Sequence, residues 1–166
     1  VSIPGIDRGG VLHVRGPNVM SGYYLYDNPG VLKVPGSEVG DGWYSTGDVV
    51  EIDEDNFVRI LGRVKRFAKV GGEMVSLEVV EQIANRASPA FQHAASTQAD
   101  AQRGESIILF TTDAALSRET LKNAAKELGS PELAIARKII CLKDLPLLGT
   151  GKTDYISLKN MAEAAQ

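Results

Sequence analysis

Short alternating or β-branched runs fill the first part of the chain, and longer runs of helical period fill the second. Val11-Leu12-His13-Val14-Arg15, closed by Gly16-Pro17-Asn18, predicts a strand entering a turn. Residues 27–42 carry Pro29, Gly30, Pro35, Gly36, Gly40 and Gly42, which predicts an irregular excursion with at most one helical turn. The clearest local signal follows: Asp48 to Ile52, the polar Asp53-Glu54-Asp55-Asn56, then Phe57 to Leu61 reads as a hairpin ended by Gly62.

Phe67 to Val70 predicts a short strand broken by Gly71-Gly72. Ser76 is placed to cap a helix through its hydroxyl, with Glu78 near the positive end and Leu77, Val80, Ile83 and Ala84 on one face; Pro89 follows. His93 to Thr97 and Ser106 to Thr112 predict strands around a polar turn at Asp100 to Gly104. Ser117 opens a second helix to Leu128, stopped by Gly129 and Pro131. Lys138 to Leu142 predicts another strand and residues 153–164 a last amphipathic helix. The order β-α-β-β-α-β-α predicts a small α+β layer domain of about 100 residues with a three-stranded sheet and packed helices. No repeat or low-complexity segment interrupts it.

Composition adds a division. Residues 1–64 hold five Lys/Arg and nine Asp/Glu, a net of −4, leaving +1 for residues 65–166 of a chain at −3. Eleven of the 17 glycines fall in residues 1–64, as short strands and tight turns require. The 166 residues suit one domain or two small ones. A hydrophobic fraction of 43% and a charged fraction of 23% exclude a disordered chain or a membrane bundle. No apolar run approaches the roughly 18 residues of a membrane span, Val1 opens no signal pattern, and the missing initiator Met predicts a fragment. The single Cys141 excludes an internal disulfide and fits a reducing compartment.

Three segments carry candidate chemistry. Gly149-Thr150-Gly151-Lys152-Thr153 looks like the end of a phosphate-binding P-loop, but Pro146 stands where that motif needs its first glycine. Lys152 is therefore either a cation on a short loop, free to approach an anion, or a solvated surface lysine. Arg63, Lys65, Arg66 and Lys69 form a cationic stretch beside Gly71-Gly72, suited to phosphate or an acidic partner and equally to a charged strand edge. Net acidity and a single aromatic, Phe67, argue against nucleic acid. Asp48, opening a strand after Gly47, can accept from a ribose diol or simply cap a turn. His13 and His93 read as isolated strand residues with no metal or triad partners, Cys141 as a small buried hydrophobe, and Met74 as packing.

In order and spacing these segments resemble the adenylate-forming superfamily of acyl-CoA synthetases, adenylation domains and luciferases. Gly10 to Gly16 through Gly22-Tyr23-Tyr24 resembles its glycine-rich barrel motif, and Gly42-Trp43-Tyr44-Ser45-Thr46-Gly47-Asp48 its ribose-binding motif. Gly62 to Glu73 through Glu78 and Glu81 resembles the hinge-and-loop motif, and Leu145 to Lys152 the terminal lysine motif. Arg66 to Lys69, Gly72 to Glu78 and Pro146 to Gly149 look most like the bifunctional acyl-acyl-carrier-protein synthetase/2-acylglycerophosphoethanolamine acyltransferases.

The resemblance implies that residues 1–64 end the β-barrel part of a large AMP-binding domain and residues 65–166 form a mobile C-terminal lid. It implies ATP with Mg2+, a fatty acid, and a phosphopantetheine thiol on acyl carrier protein as acceptor, with onward transfer to a lysophospholipid. Asp48 and Arg63 would serve the nucleotide ribose, Lys152 the adenylation step and Lys65 the hinge. Lys69, Gly71, Gly72 and Glu73 would serve the thioester step; no resident metal is implied. The hinge is Lys65 where many relatives have Asp, and Thr153-Asp154 stands where many carry a basic residue. The triphosphate loop, the adenine motif and the acyl pocket have no match here, so the fragment alone is expected to be inactive. A cytoplasmic location follows, with the full-length protein at the inner membrane. Two alternatives are a carrier-protein docking module without chemistry and a fragment of a fatty or aryl acid–CoA ligase.

Overall fold

The computed structural model describes residues 1–4, 6 and 9–165. The chain divides into two compact units, Val1–Lys65 and Arg66–Gln166.

The first unit is built on an antiparallel sheet of β1 (Gly10–Val14), β6 (Tyr44–Ile52) and β7 (Val58–Arg63), in the order β1-β6-β7. Between β1 and β6 lie two small hairpins, β2 (Tyr23–Leu25) with β3 (Asn28–Lys33) and β4 (Gly36–Ser37) with β5 (Gly40–Asp41). The excursion expected over residues 27–42 is therefore mostly strand, with no helical turn. Pro29 and Gly30 fit inside β3 because a two-stranded ribbon leaves each strand an open edge, where a missing N–H costs little.

The expected β6–β7 hairpin is present and longer. Asp53 Oδ1 accepts from the N–H groups of Asp55 (3.0 Å) and Phe57 (2.8 Å), and Asn56 takes the left-handed conformation at φ 65°. Gly62 does not end the strand. Val49 faces Gly62 while Val50 faces Ile60, so Leu61 is the extra residue of a bulge, and Gly62 at φ 144° supplies the backbone that the bulge needs. Among the described residues, Val49 and Val50 are the buried aliphatic side chains of this unit.

The second unit holds five strands in one sheet, the four expected and β9 in addition, where a three-stranded sheet was expected. β10 (His93–Asp100) pairs with β11 (Gly104–Thr111) along its full length; the other edge of β11 receives β12 (Lys138–Cys141) in parallel and touches β8 (Phe67–Val70) at Gly104. β8 in turn pairs with β9 (Glu73–Ser76). The strand β9 escapes sequence reading because Glu73-Met74-Val75-Ser76 runs straight into helix α1 (Leu77–Ala87) without a turn residue. Ser76 consequently caps nothing: its hydroxyl is buried without a partner.

Side chains alternate across this sheet and build two apolar layers. Ala95, Ile107 and Leu109 face α1 and α2 (Arg118–Glu127), meeting Leu77, Val80, Ile83, Ala84, Leu121 and Ala125. Ala94, Ile108 and Phe110 face the opposite way and meet Leu145, Leu158 and Ala162, the last two from α3 (Tyr155–Ala164). Ser117 caps α2 as expected: its Oγ accepts from Thr120 N–H, and Thr120 Oγ1 accepts from Ser117 N–H. Gly129 at φ 63° provides the expected stop.

Two further expectations about single residues fail. Cys141 is exposed, because it ends the edge strand β12, whose other side has no neighbour. His13 is not isolated: its Nδ1 lies 2.9 Å from Ser37 Oγ and its Nε2 3.6 Å from Glu38 Oε1, since β4 brings that pair to β1.

Candidate functional site

In the first unit, local bonding fixes one carboxylate. Thr46 Oγ1 donates to Leu12 O (3.1 Å) on β1 and accepts from Asp48 N–H (3.0 Å), while Gly47 at φ 73° makes the bend between them. Asp48 then stands directly across from Arg63 on β7, and Arg63 Nε donates to Asp48 Oδ1 at 2.8 Å. The carboxylate is 23% exposed and the guanidinium 64%. A single N–H holds one oxygen, so the other is available to accept from hydroxyl donors, and two neighbouring hydroxyls are its natural complement.

The cationic stretch is not one patch. Arg63 is engaged by Asp48, and Arg66 by Glu81 Oε1 (2.6 Å) and Ala95 O (2.9 Å). Arg66 and Glu81 are each only 14% exposed. Lys65 and Lys69 remain as exposed lysines.

In the second unit, Gly71 and Gly72 form the two-residue turn between β8 and β9, at φ 62° and 93°. A Cβ on either would meet no atom within 4 Å, so their glycine character answers backbone conformation and leaves open space above the turn. Gly71 N–H donates to Arg103 O (2.9 Å), and Glu73 is exposed just beyond. Beside this turn is a feature that the sequence did not disclose. A cavity of about 350 Å³ is walled by Val70, Ile107, Leu133 and Ile135 and rimmed by Arg103, Arg118 and Arg137, with Glu132 the acid among them. Arg137 is partly engaged by Asp100 at 3.1 Å.

Lys152 is exposed on a tight turn. Gly151 N–H donates to Leu148 O (2.8 Å) and Leu148 N–H to Lys152 O (2.7 Å), with Gly151 at φ 80°. No phosphate cradle forms: the turn is the tip of a short ribbon closed by the Leu147–Thr153 bridge. Asp154 N–H donates back to Pro146 O (2.8 Å), and Asp154 caps α3 by accepting from the N–H groups of Ile156 and Ser157. The unexpected acid after the lysine thus starts the helix. Tyr155, its first residue, lies over the Arg66 guanidinium, 3.8 Å from the guanidinium carbon to the ring centroid. Burial first, then the charge of Glu81, pushes the Tyr155 phenol above its usual range.

No family model matches the chain. It is 34% identical over 161 residues, 95% of its length, to the 2-hydroxy-7-methoxy-5-methyl-1-naphthoate–CoA ligase of Streptomyces carzinostaticus, of which it covers 28%. Its fold superposes on o-succinylbenzoate CoA synthetase (MenE) from Bacillus subtilis in complex with an acyl-adenylate, with a TM-score of 0.75 and 25% identity over 92% of this chain and 31% of that one. For ATP-bound MatB from Rhodopseudomonas palustris the TM-score is 0.72, with 25% identity over 93% of this chain and 30% of that one. The chain spans less than a third of these relatives. In sequence and in fold, over nearly its whole length, it is similar to the adenylate-forming superfamily of AMP-binding acyl and aryl acid ligases.

Proposed function

We propose that this chain is the part of an ATP-dependent acid–thiol ligase that closes over the nucleotide, with an aromatic carboxylic acid as the acyl donor. In the first half-reaction the carboxylate oxygen attacks the α-phosphorus of Mg-ATP and pyrophosphate leaves. In the second, a thiol attacks the acyl carbon, loses its proton and releases AMP. Asp48 accepts from the ribose hydroxyls, with Arg63 fixing its orientation. Lys152 supplies positive charge where negative charge develops during adenylation. Lys65 is the hinge that exchanges Lys152 for the loop carrying Lys69, Gly71, Gly72 and Glu73. The open space over the glycine turn suits a narrow pantetheine arm, and the arginine-rimmed cavity suits an acceptor that carries negative charge. Residues 1–64 then end the large domain and 65–166 form the lid.

The observation that carries this reading is an exposed Lys152 on a hydrogen-bonded turn, within a fold shared with ATP-bound MatB and with a CoA synthetase captured with an acyl-adenylate. The aromatic donor is favoured by relatives named for aromatic acids, the 1-naphthoate–CoA ligase among them. In the full-length protein, Lys152→Ala is expected to lower acid-dependent ATP–pyrophosphate exchange by about 10²–10³-fold, as loss of a charge-stabilising donor does. Thioester formation from supplied acyl-adenylate should be retained; equal loss of both half-reactions overturns the assignment.

A second reading, a fatty acyl-acyl-carrier-protein synthetase with a linked lysophospholipid acyltransferase, is favoured by the Arg66 to Lys69, Gly72 to Glu78 and Pro146 to Gly149 segments, and its fatty-acid donor by a relative named as a medium-chain-fatty-acid–CoA ligase, 44% identical over 75 residues. It places a cytoplasmic protein at the inner membrane. No helix among the described residues is long and apolar enough to cross a membrane. Comparing pyrophosphate exchange with benzoates and with fatty acids, then CoA and acyl carrier protein as acceptors, separates the two. Salt-sensitive binding of carrier protein with no exchange from any acid would instead support a docking module.

A further inference from the structure

The Lys152 turn is tied to the first residue of the second unit by side chains that the chemistry above leaves unused. Arg66 donates through Nη2 to Glu81 Oε1 (2.6 Å) and through Nη1 to Ala95 O (2.9 Å), and Glu81 Oε1 also accepts from Ala95 N–H (2.8 Å). The ion pair is therefore anchored to β10 by both members. Tyr155 packs on the guanidinium face at 3.8 Å, close enough for a strong cation–π contact in a partly desolvated setting. Between Lys152 and Tyr155 the backbone has little freedom, because Lys152 O, Asp154 N–H and the Asp154 carboxylate are all bonded. A surface loop needs no such attachment; a lysine that must meet a developing charge gains from one, since misplacement by about 1 Å can lower a rate by about 100-fold.

We propose that Arg66, Glu81 and Tyr155 are positioning residues that lock the Lys152 turn to the backbone immediately after Lys65, so that rotation at Lys65 carries the lysine as part of a rigid body. The proposal rests on the reading of Lys152 as the adenylation lysine and Lys65 as the hinge.

The test is Tyr155→Leu in the full-length protein, with Tyr155→Phe and Arg66→Lys beside it. Tyr155→Leu removes the ring from the guanidinium. It is expected to lower the kcat of pyrophosphate exchange about 10- to 100-fold, leaving the KM for ATP and thioester formation from supplied acyl-adenylate unchanged. Tyr155→Phe keeps the ring and should stay near wild type, whereas Arg66→Lys keeps the charge but loses the planar stack and should reproduce the split. In the 166-residue chain, Tyr155→Leu should speed amide exchange at Gly151 and Leu148 while Ile108 to Phe110 stay protected. Wild-type exchange kinetics in Tyr155→Leu, where Lys152→Ala has none, overturn the positioning role and leave the lysine assignment standing. Equal loss in both half-reactions together with lost protection at Ile108 to Phe110 reduces the cluster to a structural one, and also overturns it. Should Lys152→Ala retain adenylation, the underlying reading fails first, and amide exchange at Gly151 decides separately whether the anchor exists. If Tyr155→Leu does not fold, Arg66→Lys carries the same comparison.

Discussion

The two units solve the problem of holding a sheet together differently. The second buries both faces of its sheet, under α1 and α2 on one side and α3 on the other, with Phe110, Ile108, Leu109 and Leu158 at 1% exposure or less. The first relies on backbone pairing and local polar bonds, and leaves Tyr24, Tyr26, Phe57, Val58 and Ile60 more than half exposed. Hydrophobic burial is the main favourable term in folding, so stability should be concentrated in the second unit.

Separating the two units should make the difference plainest. Residues 66–166 expressed alone should unfold in one cooperative urea transition, and residues 1–65 alone should show none; a cooperative transition in the shorter piece would break the comparison. Within the intact chain, Phe110→Ala should cost about 3–5 kcal/mol by urea unfolding, whereas Ile60→Ala, at a position 68% exposed, should stay within about 0.5 kcal/mol.

The two arginine–carboxylate pairs sharpen it further. Arg66–Glu81 is 14% exposed on each side, and Arg66→Ala leaves a largely buried carboxylate held only by the Ala95 N–H, at a cost of about 3 kcal/mol. Arg63→Ala removes a pair whose arginine is 64% exposed and should cost no more than about 1 kcal/mol, with its effect appearing instead in nucleotide affinity. A smaller contrast lies between two serines. Ser117→Ala removes a formed capping box and should cost about 1 kcal/mol. Ser76→Ala, at an uncapped and buried hydroxyl, should be neutral or slightly stabilising.

These contrasts trace what a sequence can disclose. The hairpin around Asp53 to Asn56, the Ser117 cap and the Gly129 stop were legible because each is a local bond pattern, written in adjacent residues. Motif and spacing drew attention to Asp48 and Lys152 as candidates. The strand β9 was not, because no turn residue separates it from α1. Arg66 read as a surface cation, since its partners Glu81 and Ala95 lie 15 and 29 residues away. The arginine-rimmed cavity has the same cause: Arg103, Arg118 and Arg137 come from three separate segments that only tertiary packing assembles. Cys141 misled because its apolar neighbours suggest burial, while its place on an edge strand decides exposure.

Three carboxyls of the second unit are held below the usual carboxylate range. Asp154 is held there by the Ser157 hydroxyl and then its N–H, Asp113 by the Ser88 hydroxyl and then Ala115 N–H, and Asp100 by Gln102 N–H and then Arg103 N–H. A carboxyl with a lowered pKa in the folded state favours folding at any pH above its unfolded value of about 3.9, and that contribution fades as pH falls through the folded value. The second unit should therefore hold its stability from neutral pH down to about 4 and lose it progressively below. Asp113→Asn should flatten that acid limb, because the amide no longer distinguishes the two states by proton uptake, while lowering stability at neutral pH. The measurement is urea unfolding of the chain as a function of pH, followed through a probe in α2 beside the Ser88–Asp113 bond. An acid limb of unchanged steepness in Asp113→Asn would remove this carboxyl from the account and leave Asp154 and Asp100 to explain it.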